Sequence, residues 1–190
     1  RLLAGEEMTN EIIPYFNDRK MTRAYRDKNI YDIFIKTPNS VKSVLRRIRG
    51  QYYDNQYNSI DKNAAVSILY EGKEFIIKPS DSNNGFGINK LEIKNKEIYL
   101  GNKKVTFDDI EKSYGYNFIV QDVIQQHPIM AKPHPNSVNT LRMVTLRWKS
   151  EIHYLLTFAR FGANNSVMDN AGAGGVCVGV TDTGEFLDTA

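Results

Sequence analysis

From residue 74 onward the sequence breaks into short apolar runs, each bounded by Gly, Asn, Asp or Pro. Runs such as EFIIK at 74–78 and NFIVQDVI at 117–124 have the length and composition of strands. Two longer runs, 141–148 and 152–161, are separated by a turn at Ser150-Glu151 and predict an antiparallel pair. This pattern predicts antiparallel strands that are joined by short turns, within an α+β fold.

The part before residue 65 is predicted to be mostly helical. The run VKSVLRRIR at 41–49 spaces its apolar residues along one helical face, between Pro38 and Gly50. AVSILY at 65–70 is predicted as a strand that a turn at Glu71-Gly72-Lys73 joins to EFIIK, and FDDIEKSYG at 107–115 as a short helix that Gly ends. Further strands are predicted within 91–107 and at GGVCVGV, 174–180, and TDTGEFLD after it begins a hairpin.

Three arginines, Arg46, Arg47 and Arg49, fall mainly on the polar face of the predicted helix at 41–49. We expect a solvated charged face, and contact with an anion is the alternative. With the tyrosines at 52–57 the same arginines would suit RNA. A net charge of only +3 disfavours nucleic acid as a partner.

The composition, with 41% hydrophobic residues, is that of a folded protein. The single cysteine, Cys177, cannot form an internal disulfide, which favours a reducing compartment and predicts a cytoplasmic protein. No apolar stretch approaches the ~20 residues needed to span a bilayer. The three histidines and Cys177 lack metal-ligand spacing, so no metal ligand is predicted.

The segment KPSDSNNGFG, 78–87, places a lysine at the end of an apolar run, directly before a loop of Ser, Asn and Gly. Glycine lets backbone N–H groups approach a phosphate closely, and the lysine supplies a compact positive charge. The spacing is neither that of a P-loop nor GxGxxG. An ordinary hairpin turn is therefore the alternative to a phosphate-binding loop.

Three later segments carry further candidate groups. In VQDVIQQHP, 120–128, an edge strand leaving its sheet could offer backbone groups to a purine, and an ordinary strand is the alternative. In HPNSVNTLR, 134–142, Arg142 can bind phosphate or carboxylate or can form a strand-end salt bridge. Arg160 precedes a polar loop and the glycines at 172–175, which would allow close approach of a ligand or a tight strand crossing.

The order of these groups resembles the ATP-grasp superfamily, and most of all the sugar-transfer-associated ATP-grasp family. The resemblance runs from about residue 25 to the end of the chain. It is carried by DKN at 27–29, KP at 78–79, GFG at 85–87, Gln121 with QHP at 126–128, SVNTLR at 137–142, and MDN at 168–170 with Gly174-Gly175.

The resemblance implies a role for each matching residue. Lys28 and Lys78 would contact the nucleotide phosphates. The flap, residues 82–87, would close over them, and the residues it contributes are Ser82, Gly85, Phe86 and Gly87. Gln121, Asp122, Val123 and Ile124 would form the hinge that reads adenine, and Gln126 or His127 would lie near the ribose. Arg142 and Arg160 would act catalytically on transferred phosphate or acceptor carboxylate, and Asn170 would line the site.

The family fold implied has two α+β subdomains that hold ATP between them. It divides this chain into a mostly helical part at 1–65, a lid-type subdomain at 66–120, and an incomplete core subdomain at 121–190. The magnesium ligands of the family come from a later acidic motif, and none of Asp182, Glu185 or Asp188 matches it. We expect Mg²⁺ ligands outside these 190 residues, and a chain that does not turn over ATP alone.

The implied function is that of an ATP-dependent carboxylate ligase, which forms an acyl phosphate for attack by an amine or another nucleophile. Its partners would be a small carboxylate or a sugar-linked acceptor, in bacterial polysaccharide or glycan synthesis. A homo-oligomer is left open. The alternative is a nucleotide- or glycan-binding module without catalysis, which the missing acidic motif favours.

Overall fold

A computed structural model of the protein describes residues 5–82, 85–164, 169 and 174–188. The chain divides into two compact units, Arg1–Val123 and Ile124–Ala190. Each unit is built around its own antiparallel sheet. The mixed α and β content agrees with the predicted fold class.

The first unit begins with short helical segments. They are α1 Gly5–Glu7, a π-helical turn Met8–Ile12, α2 Ile13–Phe16, α3 Arg19–Arg26, a 3₁₀ turn Lys28–Ile30 and α4 Tyr31–Phe34. The side chain of Asp18 caps α3 by accepting a hydrogen bond from the backbone N–H of Lys20 at 2.8 Å. Segments this short owe their stability to packing rather than to propensity, so the contacts of the 3₁₀ turn matter for its position.

Eight strands in the described part of this unit form one sheet in the order β3-β2-β1-β8-β4-β5-β6-β7. They are β1 Ser43–Ile48, β2 Gln51–Tyr53, β3 Ser59–Ile60, β4 Glu74–Pro79, β5 Asn89–Lys94, β6 Glu97–Leu100, β7 Lys103–Val105 and β8 Phe118–Asp122. The strands predicted at 74–78, within 91–107 and at 117–124 are therefore confirmed.

Two helices, α5 Lys62–Glu71 and α6 Phe107–Tyr114, pack on one face of this sheet. The core between them contains Leu45, Ala65, Leu69, Phe75, Ile77, Phe107, Ile110, Phe118 and Val120. Side chains alternate along a strand, so the intervening residues of β4 and β8 face the opposite side. That opposite face carries the candidate site.

Helix α6 confirms the helix predicted at 107–115 from its end signals. Thr106 and Asp109 form a capping box, in which each side chain accepts from the backbone N–H of the other. Gly115 ends the helix with φ of +66°, a conformation that glycine adopts without strain.

The strand predicted at 65–70 is wrong, because those residues lie inside α5. Asp61 caps the helix by accepting from the backbone N–H of Ala64 at 2.8 Å, and Ala65 and Leu69 are buried one helical turn apart. The β-branched residues Val66 and Ile68 suggested a strand, but the cap and the packing of one face decide for a helix.

The helix predicted at 41–49 is also wrong, because Ser43–Ile48 is strand β1. It pairs with β2 on one side and with β8 on the other. Leu45 enters the core and the next residue, Arg46, is buried on the opposite face. A strand covered on both faces loses the alternating pattern, which is why its apolar spacing resembled a helix.

The described part of the second unit contains α7 Pro128–Ala131 and a sheet in the order β11-β10-β9. The strands are β9 Thr140–Trp148, β10 Glu151–Phe161 and β11 Val176–Val180. The predicted antiparallel pair is confirmed, but its turn is Lys149-Ser150, one residue earlier than predicted. Both turn residues have positive φ, as a two-residue hairpin requires.

After β11, the backbone N–H of Thr181 donates to the carbonyl of Glu185 at 2.8 Å, and Phe186 bridges to Val180. These contacts confirm the hairpin predicted to begin there. Among the described residues, no helix combines the length and the apolar character that crossing a membrane requires.

Candidate functional site

Lys78 lies near the end of β4, on the sheet face opposite the helices. Its neighbours Phe75 and Ile77 enter the core, so Ile76 and Lys78 must face the other way. Burial lowers the pKa of Lys78, and the positive charge of nearby Lys28 lowers it further. Within the described chain, no carboxylate or carbonyl pairs with its amine. A half-buried lysine in this state is well suited to receive an anion.

Lys28 occupies the 3₁₀ turn and contacts the chain just beyond β4. Asp27 holds the turn, because its carboxylate accepts from the backbone N–H of Asn29 at 3.0 Å. The backbone N–H of Lys28 donates to the carbonyl of Ser80 at 2.8 Å, and its amine donates to the carbonyls of Ser80 and Ser82. An ammonium group has three donors, so one is left for a ligand.

Burial lowers the pKa of Lys28, while Asp81 and Asp27 partly offset that effect. The two lysines are thus coupled by charge and lie at the base of the same loop. The sequence predicted both as phosphate ligands, and the structure brings them together.

The flap, residues 82–87, begins at this pair of lysines. Ser80, just before it, is fully buried, and its hydroxyl has no partner among the described residues. Gly85 and Gly87 have φ of +78° and +73°. A Cβ on Gly87 would approach the ring of Pro79 to 2.8 Å. Both the positive φ and the lack of space therefore require glycine at this position.

Phe86, between the two glycines, is 78% exposed. Ser82 is anchored by a hydrogen bond from its hydroxyl to the carbonyl of Pro79 at 3.3 Å. Asn83 and Asn84 lie outside the described residues.

Gln121 lies on β8, on the same face as Lys78. It pairs with Ile76 of the neighbouring strand β4, and its amide donates to the hydroxyl of Ser43 at 3.1 Å. A cavity of about 130 Å³ lies beside it, and its lining includes Lys28, Ser43 and Gln121. Two of the predicted nucleotide-binding residues therefore share one cavity.

The rest of the predicted hinge, residues 122–124, comes directly after Gln121 in the chain. Strand β8 lies between β1 and β4, so the expectation of an edge strand is wrong. The backbone N–H of Asp122 donates to the carbonyl of Lys42 at 3.0 Å. Val123 is the last residue of the first unit, and Ile124 is the first of the second. The backbone N–H of Asp122 is therefore engaged within the fold.

In the second unit, Thr140, Arg142 and Arg160 share one sheet face, since Arg160 pairs with Thr140 across the strands. Arg142 is exposed. The guanidinium of Arg160 lies 3.4 Å from the carboxylate of Asp169 and donates to its carbonyl at 3.2 Å. The hydroxyl of Thr140 donates to the same carboxylate. Arg160 is thus an ion-paired arginine, and Asn170 lies outside the described residues.

A sequence-family model for sugar-transfer associated ATP-grasp proteins matches residues 7–190. The chain belongs to this family. Membership indicates an ATP-dependent, ligase-like function associated with sugar transfer, and ATP-grasp proteins generally bind ATP together with Mg²⁺. No curated protein and no solved structure shows significant similarity to the chain.

Among the described residues of this ATP-grasp chain, no three His, Cys, Asp or Glu side chains lie together as a group that could hold a metal ion. The acids nearest the lysine pair, Asp27 and Asp81, oppose the lowering of the Lys28 pKa. The groups on this face therefore suit phosphate oxygens better than a metal ion.

One part of the ATP-grasp motif proves to be structural. Ser137 and Asn139 are buried, and the hydroxyl of Ser137 donates to the side-chain carbonyl of Asn139 at 3.1 Å. The Asn139 amide donates to the carbonyls of Met130 and His134 at 2.6 and 3.1 Å. The Gln126 amide bonds both backbone groups of Asn139, so that side chain is engaged within the fold.

This network was not predicted from the sequence, although the polar cluster HPNSVN indicates buried hydrogen bonds in this loop. His127 also has a local role, because its ring accepts from the backbone N–H of Ile129 at 3.3 Å and caps α7. Neither Gln126 nor His127 is needed as a ribose ligand to explain its position.

Proposed function

We propose that this protein binds ATP on the face of the first sheet that carries Lys78, and that it is a carboxylate ligase using an acyl-phosphate intermediate. The observation that supports this most directly is the Lys28–Lys78 pair. Two half-buried lysines approach each other, and Lys78 has no carboxylate partner in the described chain. Like charges this close disfavour the free state, and an anionic phosphate would relieve their repulsion.

In this proposal each group has a defined task. Lys78 and the third donor of Lys28 bind phosphate oxygens, and the flap with Gly85 and Gly87 closes over them. Gln121 with residues 122–124 holds the adenine. Phe86, which is exposed in this structure, would be covered when the flap closes.

The proposed reaction has two steps. A carboxylate oxygen of the acceptor attacks the γ-phosphorus, the bond from phosphorus to the β,γ-bridging oxygen breaks, and ADP leaves. An amine or another nucleophile then attacks the acyl carbon, and inorganic phosphate leaves. Arg142 would neutralise negative charge in these steps, and Arg160 would do so if its pairing with Asp169 rearranges. No protein nucleophile is required.

The acceptor class is proposed from family membership. A small carboxylate or a sugar-linked carboxylate, in bacterial polysaccharide or glycan synthesis, is consistent with sugar transfer. The described residues do not distinguish the acceptor further, and a cytoplasmic location stays a prediction from the single cysteine.

A second candidate is a nucleotide- or glycan-binding module without catalysis. Two observations favour it: the described residues offer no cluster of metal ligands, and Arg160 is paired with Asp169. The ligase and a nucleotide-binding module both predict ATP binding, but only the ligase predicts turnover.

Calorimetric titration with ATP, ADP and inorganic phosphate tests the binding step. We expect ATP to bind with Mg²⁺ present and to protect residues 82–87 from hydrogen exchange. No binding of ATP would refute the ligase and the nucleotide-binding module, and would leave a glycan-binding module. Release of ADP that depends on an added carboxylate would then identify the ligase, and binding without any ADP release across a carboxylate panel would favour the module.

A further inference from the structure

A buried ion-paired network lies behind Lys28. Arg46 is fully buried, which is rare for an arginine and requires that its donors be satisfied. Its Nε donates to the carbonyl of Asn29 at 3.1 Å, and one terminal nitrogen donates to the carbonyl of Asp54 at 2.9 Å. The other terminal nitrogen pairs with the carboxylate of Asp32. Neither a solvated arginine nor an anion-binding one, as the sequence suggested, fits this position.

Tyr57 also belongs to this network. Its hydroxyl lies 2.7 Å from the carbonyl oxygen of Asn29 and also contacts the carboxylate of Asp32. The guanidinium of Arg46 lies 4.1 Å from the centre of its ring. Burial, and then the bond to Asp32, raise the pKa of Tyr57 to about 12, so the hydroxyl stays a donor at neutral pH.

The loop that carries Tyr57 is built to hold it there. Tyr57 has φ of +66°, a strained conformation for a tyrosine. The carboxylate of Asp54 accepts from the backbone N–H groups of Gln56 and Asn58 at 2.8 and 2.9 Å, on either side of it. A strained backbone and a buried charge are both costly, and a well-packed apolar cluster could replace them.

The network converges on the residue that follows Lys28. The carbonyl of Asn29 accepts hydrogen bonds from Arg46 and from Tyr57. The side-chain amide of Asn29 donates to the carbonyl of Arg47 at 3.3 Å. These bonds fix the 3₁₀ turn on the sheet. Lys28, on the same turn, then reaches the carbonyls of Ser80 and Ser82 where the flap begins.

We propose that Arg46, Asp32 and Tyr57 are positioning residues for Lys28, so that nucleotide affinity depends on a tyrosine hydroxyl that is not itself a ligand. This inference rests on the proposed ATP site. It adds to that site a second layer of residues, drawn from β1, α4 and the loop between β2 and β3.

Tyr57→Phe tests the proposal, and Tyr52→Phe is its matched control. Tyr52 is a buried tyrosine with similar partners: its hydroxyl donates to the carboxylate of Glu111 at 2.5 Å, and the guanidinium of Arg47 lies 5.1 Å from its ring. It faces the helices and not Lys28. Loss of a hydroxyl should lower the thermal stability in both variants.

The measurement is the affinity for ATP and for its non-hydrolysable analogue AMP-PNP, by calorimetry on folded protein. Tyr57→Phe should weaken binding about three- to tenfold, the equivalent of one net hydrogen bond. Tyr52→Phe should leave it unchanged. In a Lys28→Ala background, Tyr57→Phe should change affinity by no more than about twofold, the usual error of additivity.

An effect of Tyr57 that does not act through Lys28 would give the same affinity change in both backgrounds, and that result would overturn the proposal. Equal effects of the two tyrosine variants would overturn it as well. If the Tyr57→Phe protein does not fold, Asp32→Asn takes its place in the same cycle, with the same outcomes. Failure of the unaltered protein to bind ATP would instead refute the proposed function, and this inference with it.

Discussion

Replacing Lys78 with methionine should weaken ATP binding and, at the same time, stabilise the free protein. Methionine retains most of the side-chain length and removes the charge. The opposite signs follow from one geometry, because the amine is half-buried, lies near the charge of Lys28 and has no carboxylate partner in the described residues.

The size of each effect can be worked out. Loss of one charge-assisted hydrogen bond to phosphate costs ~1.5–3 kcal/mol, which raises the dissociation constant about 10- to 150-fold. Relief of a strained functional group commonly adds ~1 kcal/mol to stability, or about 2–4 °C in Tm for a chain of this length.

The gain in stability should depend on pH in a defined direction. The folded state lowers the pKa of Lys78 below its ordinary value of 10.5, so the unfolded state binds more protons between the two values. The penalty from Lys78 is fully present below the folded pKa and is lost as the pH rises towards 10.5. The stability advantage of Lys78→Met should therefore shrink at alkaline pH.

Calorimetry and thermal unfolding measure the two effects, and Lys90→Met is the control. Lys90 lies on the same sheet face, opposite Ile76, but pairs with Glu74 and Glu92, which raise its pKa. Its replacement should leave ATP affinity unchanged and should not stabilise. If Lys78→Met destabilises the protein or binds ATP normally, the assignment of Lys78 as an unpaired phosphate ligand is wrong.

Three further predictions concern the same two units. ATP affinity should fall as the pH rises through the lowered pKa of Lys78, because the bound phosphates favour the charged form of this lysine; a calorimetric pH series with an unchanged affinity would contradict this. Gly87→Ala should lower the free energy of unfolding by ~1 kcal/mol or more and weaken ATP binding. Gly101→Ala is its control, with φ of +59° but open space at Cβ, so equal losses in denaturant unfolding would rule out the contact with Pro79 as the cause. Asn139→Ala should cost ~2–4 kcal/mol, since its buried side chain is lost together with its hydrogen bonds to the carbonyls of Met130 and His134 and to the Ser137 hydroxyl. Asn136→Ala, exposed in the same loop, should cost little in the same assay.

The signals that predicted the fold correctly from the sequence are local ones. Gly115 at its end predicted α6, and short apolar runs between turn residues predicted the strands β4 and β8 and the antiparallel pair β9–β10. Each of these depends on bonds between residues close in the chain, or on alternation along one strand. Such features can therefore be predicted from the sequence alone.

The error at β1 has the opposite cause. Whether residues 41–49 form a helix or a strand is decided by pairing with β8, by Asp32 against Arg46, and by Glu111 against Arg47. None of these partners is visible in a window of nine residues. Helical spacing of apolar residues is the expected mistake when both faces of a strand are covered.

The same division holds for the site. The sequence by itself predicted Lys78 and the flap glycines, because charge and backbone freedom are properties of single residues, and the resemblance to the ATP-grasp family added Lys28 and Gln121. Only the tertiary structure decided that Lys28, 52 residues before Ser80, donates to its carbonyl, and that Arg46 is held inside the fold. It also decided that Arg160 is paired with Asp169 and that Asn139 is a structural residue. Which donors a ligand can use depends on which donors the fold has already satisfied, and that is known only when the distant parts of the chain have met.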